Sequence, residues 1–277
     1  MLKQRIITAL VLLGFLFPAV LHPDIFWTAL AGLVLISAAA WEWGRLNSLS
    51  RYKALWMTAV CAAFCACVWQ FKLLFFFDRV FWLMVGAVWV LLGAYLLAGG
   101  VTRWTRIPAL LRLAIGAVVL CCTWLALVVS KTFGIDFLLS SLLVVWMADI
   151  AAYFSGKAWG RHKLAPEISP GKTWEGVGGA MLGVFSIGFI WLAAVEYFSL
   201  PSQSLFDRLY AHGFVVFILG LIFLVMMSVV GDLIESLVKR SAGAKDSSQL
   251  LPGHGGILDR IDAILPTLPL AVMLALL

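Results

Sequence analysis

Long apolar stretches separated by short polar breaks run the whole length of this chain. A helix crossing a bilayer needs about 20 mostly apolar residues. Scanning for such runs gives nine, at roughly 6–21, 25–44, 54–71, 80–98, 107–130, 134–155, 176–197, 212–235 and 257–277. His22 and Pro23 separate the first two, and Gly99 and Gly100 close the fourth. The pattern predicts an all-α polytopic membrane protein. There is no internal repeat or linker long enough to divide it, so residues 1–277 read as one helical domain, with amino-terminal spans over 1–130 and a chemically richer half over 131–277.

Composition agrees, with 63% hydrophobic residues, 12% charged residues and a mean hydropathy of +1.03. That is more apolar surface than a soluble core of this size buries. Lys and Arg number 20 against 14 Asp and Glu. In a soluble chain this excess suggests nucleic acid; here the retention of basic residues in cytoplasmic loops accounts for it, and no nucleic-acid partner is expected. Placing the N-terminus inside puts sixteen basic residues in cytoplasmic segments, Lys3 and Arg5 among them, and leaves only Lys72, Arg79, Lys131 and Arg208 outside. The first run follows a basic start, as in a secretory signal, but lacks a convincing cleavage site and is expected to persist as a span. The five cysteines, Cys61, Cys65, Cys67, Cys121 and Cys122, lie in apolar runs and read as buried, inert thiols.

Carboxylates in or beside spans are costly and are usually paired, metal-bound or functional. Asp149 lies in the sixth run, Asp232 and Glu235 close the eighth, and Asp259 and Asp262 open the ninth. All belong to cytoplasmic helix halves. At about 100° per residue, Ser236 and Lys239 share a face with Asp232, and Asp149 shares one with Ala152, Tyr153 and Gly156. Structural ion pairing with neighbouring Arg and Lys is the plain explanation for any single acid. Three helices each placing an acid at the same depth suit a hard cation such as Mg²⁺ better.

Two cytoplasmic segments carry the remaining polarity. In the later one, Lys239, Arg240, Lys245 and Arg260 are suited to phosphate oxygens. Gly255 and Gly256 permit close approach of backbone N–H groups just before a helix. His254 fits an acid, a ligand or a turn-stabilising donor. The earlier segment contains Gly171-Lys172-Thr173, but the first glycine of a P-loop is missing and no strand precedes it. Ser169 and Thr173 also suit a helix start. Arg161 and Lys163 read as orientation charges.

The stretch from Ser236 to Asp262, with Lys239-Arg240, Lys245-Asp246, His254-Gly255-Gly256 and Asp259-Arg260-Ile261-Asp262, resembles the signature of phosphatidate cytidylyltransferases. Ser169-Pro170-Gly171-Lys172-Thr173-Trp174-Glu175-Gly176 resembles a second element of that family, whereas the first five spans resemble it only in hydropathy. The resemblance implies attack of phosphatidate's phosphate on the α-phosphorus of CTP, giving CDP-diacylglycerol and pyrophosphate. It implies Mg²⁺, which a second cation such as K⁺ can accompany, with Asp232 and Asp259 as leading ligands. Lys245, Asp246, His254, Arg260 and Asp262 form the expected catalytic set. Asp149, Ser169, Lys172, Thr173, Ser236, Lys239, Arg240, Gly255 and Gly256 are expected to bind substrate. A homodimer in a bacterial inner membrane, with its site facing the cytoplasm, completes the expectation. Related CTP-dependent lipid kinases would move the γ-phosphoryl group instead; a CDP-alcohol phosphotransferase would need an Asp-Gly-x-x-Ala-Arg run that is not present; and a transporter would place polar residues at the midplane of broken helices.

Overall fold

A computed structural model describes residues 2–277, leaving the side chains of residues 2–7, 9, 12 and 75 undescribed. Lys3 and Arg5 fall among those side chains. The helices are α1 (Leu2–Leu21), α2 (Ile25–Leu46), α3 (Arg51–Gln70), α4 (Arg79–Arg106), α5 (Ala109–Thr132), α6 (Ile135–Trp159), α7 (Trp174–Tyr197), α8 (Leu205–Ala211), α9 (Phe214–Ser241), α10 (Leu258–Ile261) and α11 (Ile264–Ala275). A small antiparallel hairpin, β1 (Lys163–Ala165) and β2 (Ser169–Thr173), pairs Lys163 with Thr173 and Ala165 with Ser169. Among the described residues, seven helices are long and apolar enough to cross a membrane: α2 to α7 and α9.

The starts and stops follow local chemistry. Asp24 accepts a hydrogen bond from the Phe26 N–H at 2.9 Å, so α1 and α2 are separate helices joined through His22 and Pro23. Ser50 and Asp78 cap α3 and α4 in the same way, and Thr173 caps α7 by accepting from Gly176 N–H at 3.2 Å. The regular path of α4 breaks at Gly100, whose φ of 58° is open to glycine.

The ninth apolar run does not form one continuous spanning helix. It divides into α10 and the 12-residue α11, about 18 Å long against a hydrocarbon core of about 30 Å. Nine residues of α11 are buried, and it packs against α4, α5 and α9. A helix apolar on every side belongs in a core, and hydropathy alone does not separate that case from a span. Among the cysteines, Cys67 is exposed while the other four are buried.

Polar contacts fix which helix ends lie together. The Trp43 indole donates to the Arg112 carbonyl at 2.9 Å, and the Lys131 ammonium to the Val20 carbonyl at 2.6 Å. The α2 C-terminus and α5 N-terminus therefore lie at one end of the bundle, and the α1 C-terminus and α5 C-terminus at the other. Small residues bring α6 and α7 together: Gly176 faces the Ala152 carbonyl and Gly179 faces Ser155. Tyr153 and Asp149, one turn apart on α6, are both exposed, as a shared helix face requires.

A Cβ at Gly179 would stand 1.9 Å from the Ser155 hydroxyl, whereas at Gly178 it would meet nothing within 4 Å. Gly179→Leu is expected to lower the thermal midpoint of the detergent-solubilised protein, at an overpacking cost of roughly 1–3 kcal/mol. Gly178→Leu is the matched control. Equal midpoints for the two variants would show that α6 and α7 do not pack this closely.

Candidate active site at the α9–α10 junction

The two polar segments meet. Lys172 on β2 pairs with Asp232 on α9 at 2.6 Å, and the Arg240 guanidinium donates to the Ile168 carbonyl at the hairpin turn at 3.3 Å. The hairpin is therefore folded over the end of α9. Ser236, one turn beyond Asp232, donates to its Oδ1 at 3.3 Å. Ser169 occupies a register position of the hairpin, and Thr173 serves as the cap of α7.

Beyond α9 the chain makes a compact loop. Leu251-Pro252-Gly253-His254 has the form of a type II turn: Pro252 supplies the second position, Gly253 the left-handed third at φ 78°, and His254 N–H donates to the Leu251 carbonyl at 2.9 Å. Leu251 N–H then reaches the Gly255 carbonyl at 2.8 Å, with Gly255 at φ 84°. Arg260 closes the turn from outside, donating from Nε and Nη2 to the His254 carbonyl at 3.2 and 2.6 Å. Lys245 and Asp246 are exposed, while His254 Nδ1 is buried without a hydrogen-bond partner among the described residues.

Asp259 is fully engaged. Oδ1 accepts from Lys239 at 2.6 Å; Oδ2 accepts from Ser247 N–H and hydroxyl, both at 2.9 Å, and from Gly256 N–H at 2.8 Å. Lys239 also pairs with Glu235 one turn earlier on α9. Lys239 thus sits between two acids as a strut, and the Gly256 N–H is spent on Asp259.

Asp149, Asp232 and Asp262 lie within electrostatic reach of one another, with Lys172 facing all three and Arg260 facing Asp149. Asp149 is exposed and the other two are half-buried. Among the described residues no three acids, histidines or cysteines form a ready-made metal cluster. Mg²⁺ at nucleotide sites is commonly held by one or two carboxylates plus substrate phosphates. The donor chemistry here fits that mode, since hard oxygens converge and an ammonium already occupies a cation's place beside Asp232.

Sequence reasoning missed two contributors. His162 Nδ1 meets Glu175 at 2.6 Å, tying the hairpin to α7. Glu42, buried on α2, accepts from Ser247, Ser248, Ile257 and Leu258 of the loop. As the one acid within the run 25–44, Glu42 met the same test that singled out Asp149.

The profile of the Cytidylyltransferase family matches residues 3–277, extending the likeness well beyond the C-terminal half. The phosphatidate cytidylyltransferase of Pseudomonas aeruginosa is 36% identical over 286 aligned residues, covering 97% of this chain and 95% of that protein. The phosphatidate cytidylyltransferase of Haemophilus influenzae is 46% identical over 136 residues, covering 49% of this chain and 44% of that protein. That of Brucella suis is 45% identical over 136 residues, covering 49% and 45% respectively.

Burial pushes the Asp259 carboxyl up, but the Lys239 ammonium and the N–H groups of Gly256 and Ser247 outweigh it and hold the group at about 2. An unfolded aspartate titrates near 3.9, so this contribution to stability is complete above about pH 4 and is lost as pH falls toward 2. Thermal unfolding between pH 5 and 2.5 is expected to fall more steeply for the wild type than for Asp259→Asn. Parallel profiles would mean that Asp259 is not held this way.

Proposed function

The chain belongs to the cytidylyltransferase family, and from that premise we propose that it is a membrane enzyme transferring the cytidylyl group of CTP to phosphatidate, giving CDP-diacylglycerol and pyrophosphate for phospholipid biosynthesis. The observation that carries the reading to particular residues is the meeting of the hairpin with the α9–α10 junction through Lys172 and Asp232.

The nucleophile is a lipid phosphate, already anionic near neutral pH, so no strong base is required. Alignment and charge compensation are what the protein must provide. Lys172 and Arg260, the cations facing the carboxylates, orient phosphate oxygens, and exposed Lys245 is free to reach the triphosphate. Asp149, Asp232 and Asp262 would hold Mg²⁺, whose contribution when bound is to neutralise charge on the phosphates, with a second cation such as K⁺ beside it. Asp259 joins the ligand set only if Lys239 releases Oδ1. The site is taken to face the cytoplasm of a bacterial inner membrane, on the support of the basic-residue asymmetry, and a homodimer on the support of the family resemblance.

Purified protein with phosphatidate, Mg²⁺ and CTP labelled on the α-phosphorus is expected to place the label in CDP-diacylglycerol. Recovery of γ-label in the lipid would identify a kinase instead. Asp232→Asn should lower turnover roughly 100-fold or more, with partial recovery in excess Mg²⁺. Lys163→Ala, on the exposed hairpin strand, should remain close to wild type. Unchanged turnover and Mg²⁺ dependence in Asp232→Asn would assign this acid to structure alone.

A further inference from the structure

We propose that Glu42, on the amino-terminal half of the chain, is a positioning residue that clamps the loop over residues 242–257 in its reactive shape. This rests on the reading of that loop as part of the cytidylyl-transfer site. Glu42 lies in the last turns of α2 and is 0% exposed. Among the described residues no Lys, Arg or His forms an ion pair with it. Its charge is met entirely by hydrogen bonds from the loop and the start of α10. Oε1 accepts from Ser248 hydroxyl at 2.5 Å and Ile257 N–H at 2.9 Å, and Oε2 accepts from Leu258 N–H at 2.6 Å, with the Ser247 hydroxyl, whose one proton it shares with Asp259, at 3.1 Å.

A second observation makes the same point from the loop side. A Cβ at Gly256 would stand 2.4 Å from Glu42 Oε1 and 2.0 Å from the Ser247 hydroxyl. Gly256 therefore leaves the room that the carboxylate occupies. Ser247 faces Glu42 and Asp259 together, at 3.1 and 2.9 Å, so the clamp continues into the strut at Lys239. Ile257 and Leu258 immediately precede Asp259 and Arg260. A shift of their backbone would move both, and small displacements at a reacting centre are costly to rate.

Each carboxylate oxygen accepts one backbone N–H, which specifies the residue type. Glutamine must turn an NH₂ donor toward either Ile257 or Leu258, and aspartate is one methylene too short to reach. Glu42→Gln in the full-length enzyme is expected to lower kcat by about tenfold or more, the scale of a buried donor left unmet. Trypsin cleavage after exposed Lys245 should accelerate by a similar factor, while cleavage after Lys163 on the hairpin stays constant. Adding Ser248→Ala to Glu42→Gln should bring little further loss, because both act through one contact.

A general structural role would accelerate both cleavages together, or reduce folded protein without altering kcat in what remains, and either result would overturn the proposal. So would wild-type kcat and cleavage in Glu42→Gln. If that variant does not fold, Ser248→Ala alone decides, with faster cleavage at Lys245 supporting the clamp and wild-type behaviour refuting it. If the wild type makes no CDP-diacylglycerol, the functional reading fails while the cleavage comparison still judges Glu42.

Discussion

A carboxylate removed from water must be met by donors or cations inside the protein, because leaving one unmet costs more than a domain's margin of stability readily absorbs. That constraint organises the reactive end of this molecule. Glu42, Ser247, Asp259, Lys239 and Glu235 form one continuous set of contacts from α2 through the loop and α10 to α9. The loop has little apolar surface of its own, and its shape is imposed by these acids. Lys172 and Asp232 extend the same logic to the hairpin. Three segments distant in sequence are thus held in one place by buried and half-buried charge.

The arrangement separates two kinds of acid. Asp259 and Glu42 have every oxygen engaged, and their work is to hold backbone in place. Asp149, Asp232 and Asp262 lie close to one another, and the cation that faces all three is Lys172, paired with Asp232. The first group builds the frame, and the second is the one to which the proposed function assigns the cation that accompanies the phosphates. The N-terminal half contributes to the first group through Glu42, in keeping with a family likeness that runs from residue 3 to residue 277.

Much of this was legible before the fold was seen. The breaks at His22-Pro23 and at Gly99-Gly100, the cap at Thr173 and the concentration of chemistry in two segments all follow from local rules that tertiary structure left intact. What was not legible depended on partners remote in sequence. The run 257–277 has the hydropathy of a span, and only burial on all sides reveals α11 as a core helix. Lys239 reads as a substrate-binding group and Asp259 as a metal ligand until their mutual contact is known. Glu42 was detectable as the one acid in its apolar run, but its partners lie more than 200 residues away and no local pattern points to them.

An experimental structure of the wild-type protein with CTP and Mg²⁺ tests most directly whether this buried-charge network is the frame of the active site. The account predicts the triphosphate between the hairpin and the α9–α10 junction, with Lys172 turned from Asp232 toward a phosphate and the contacts of Glu42 with the loop unchanged. A triphosphate bound away from Asp149, Asp232 and Asp262, or a loop released from Glu42 when nucleotide is bound, would contradict it.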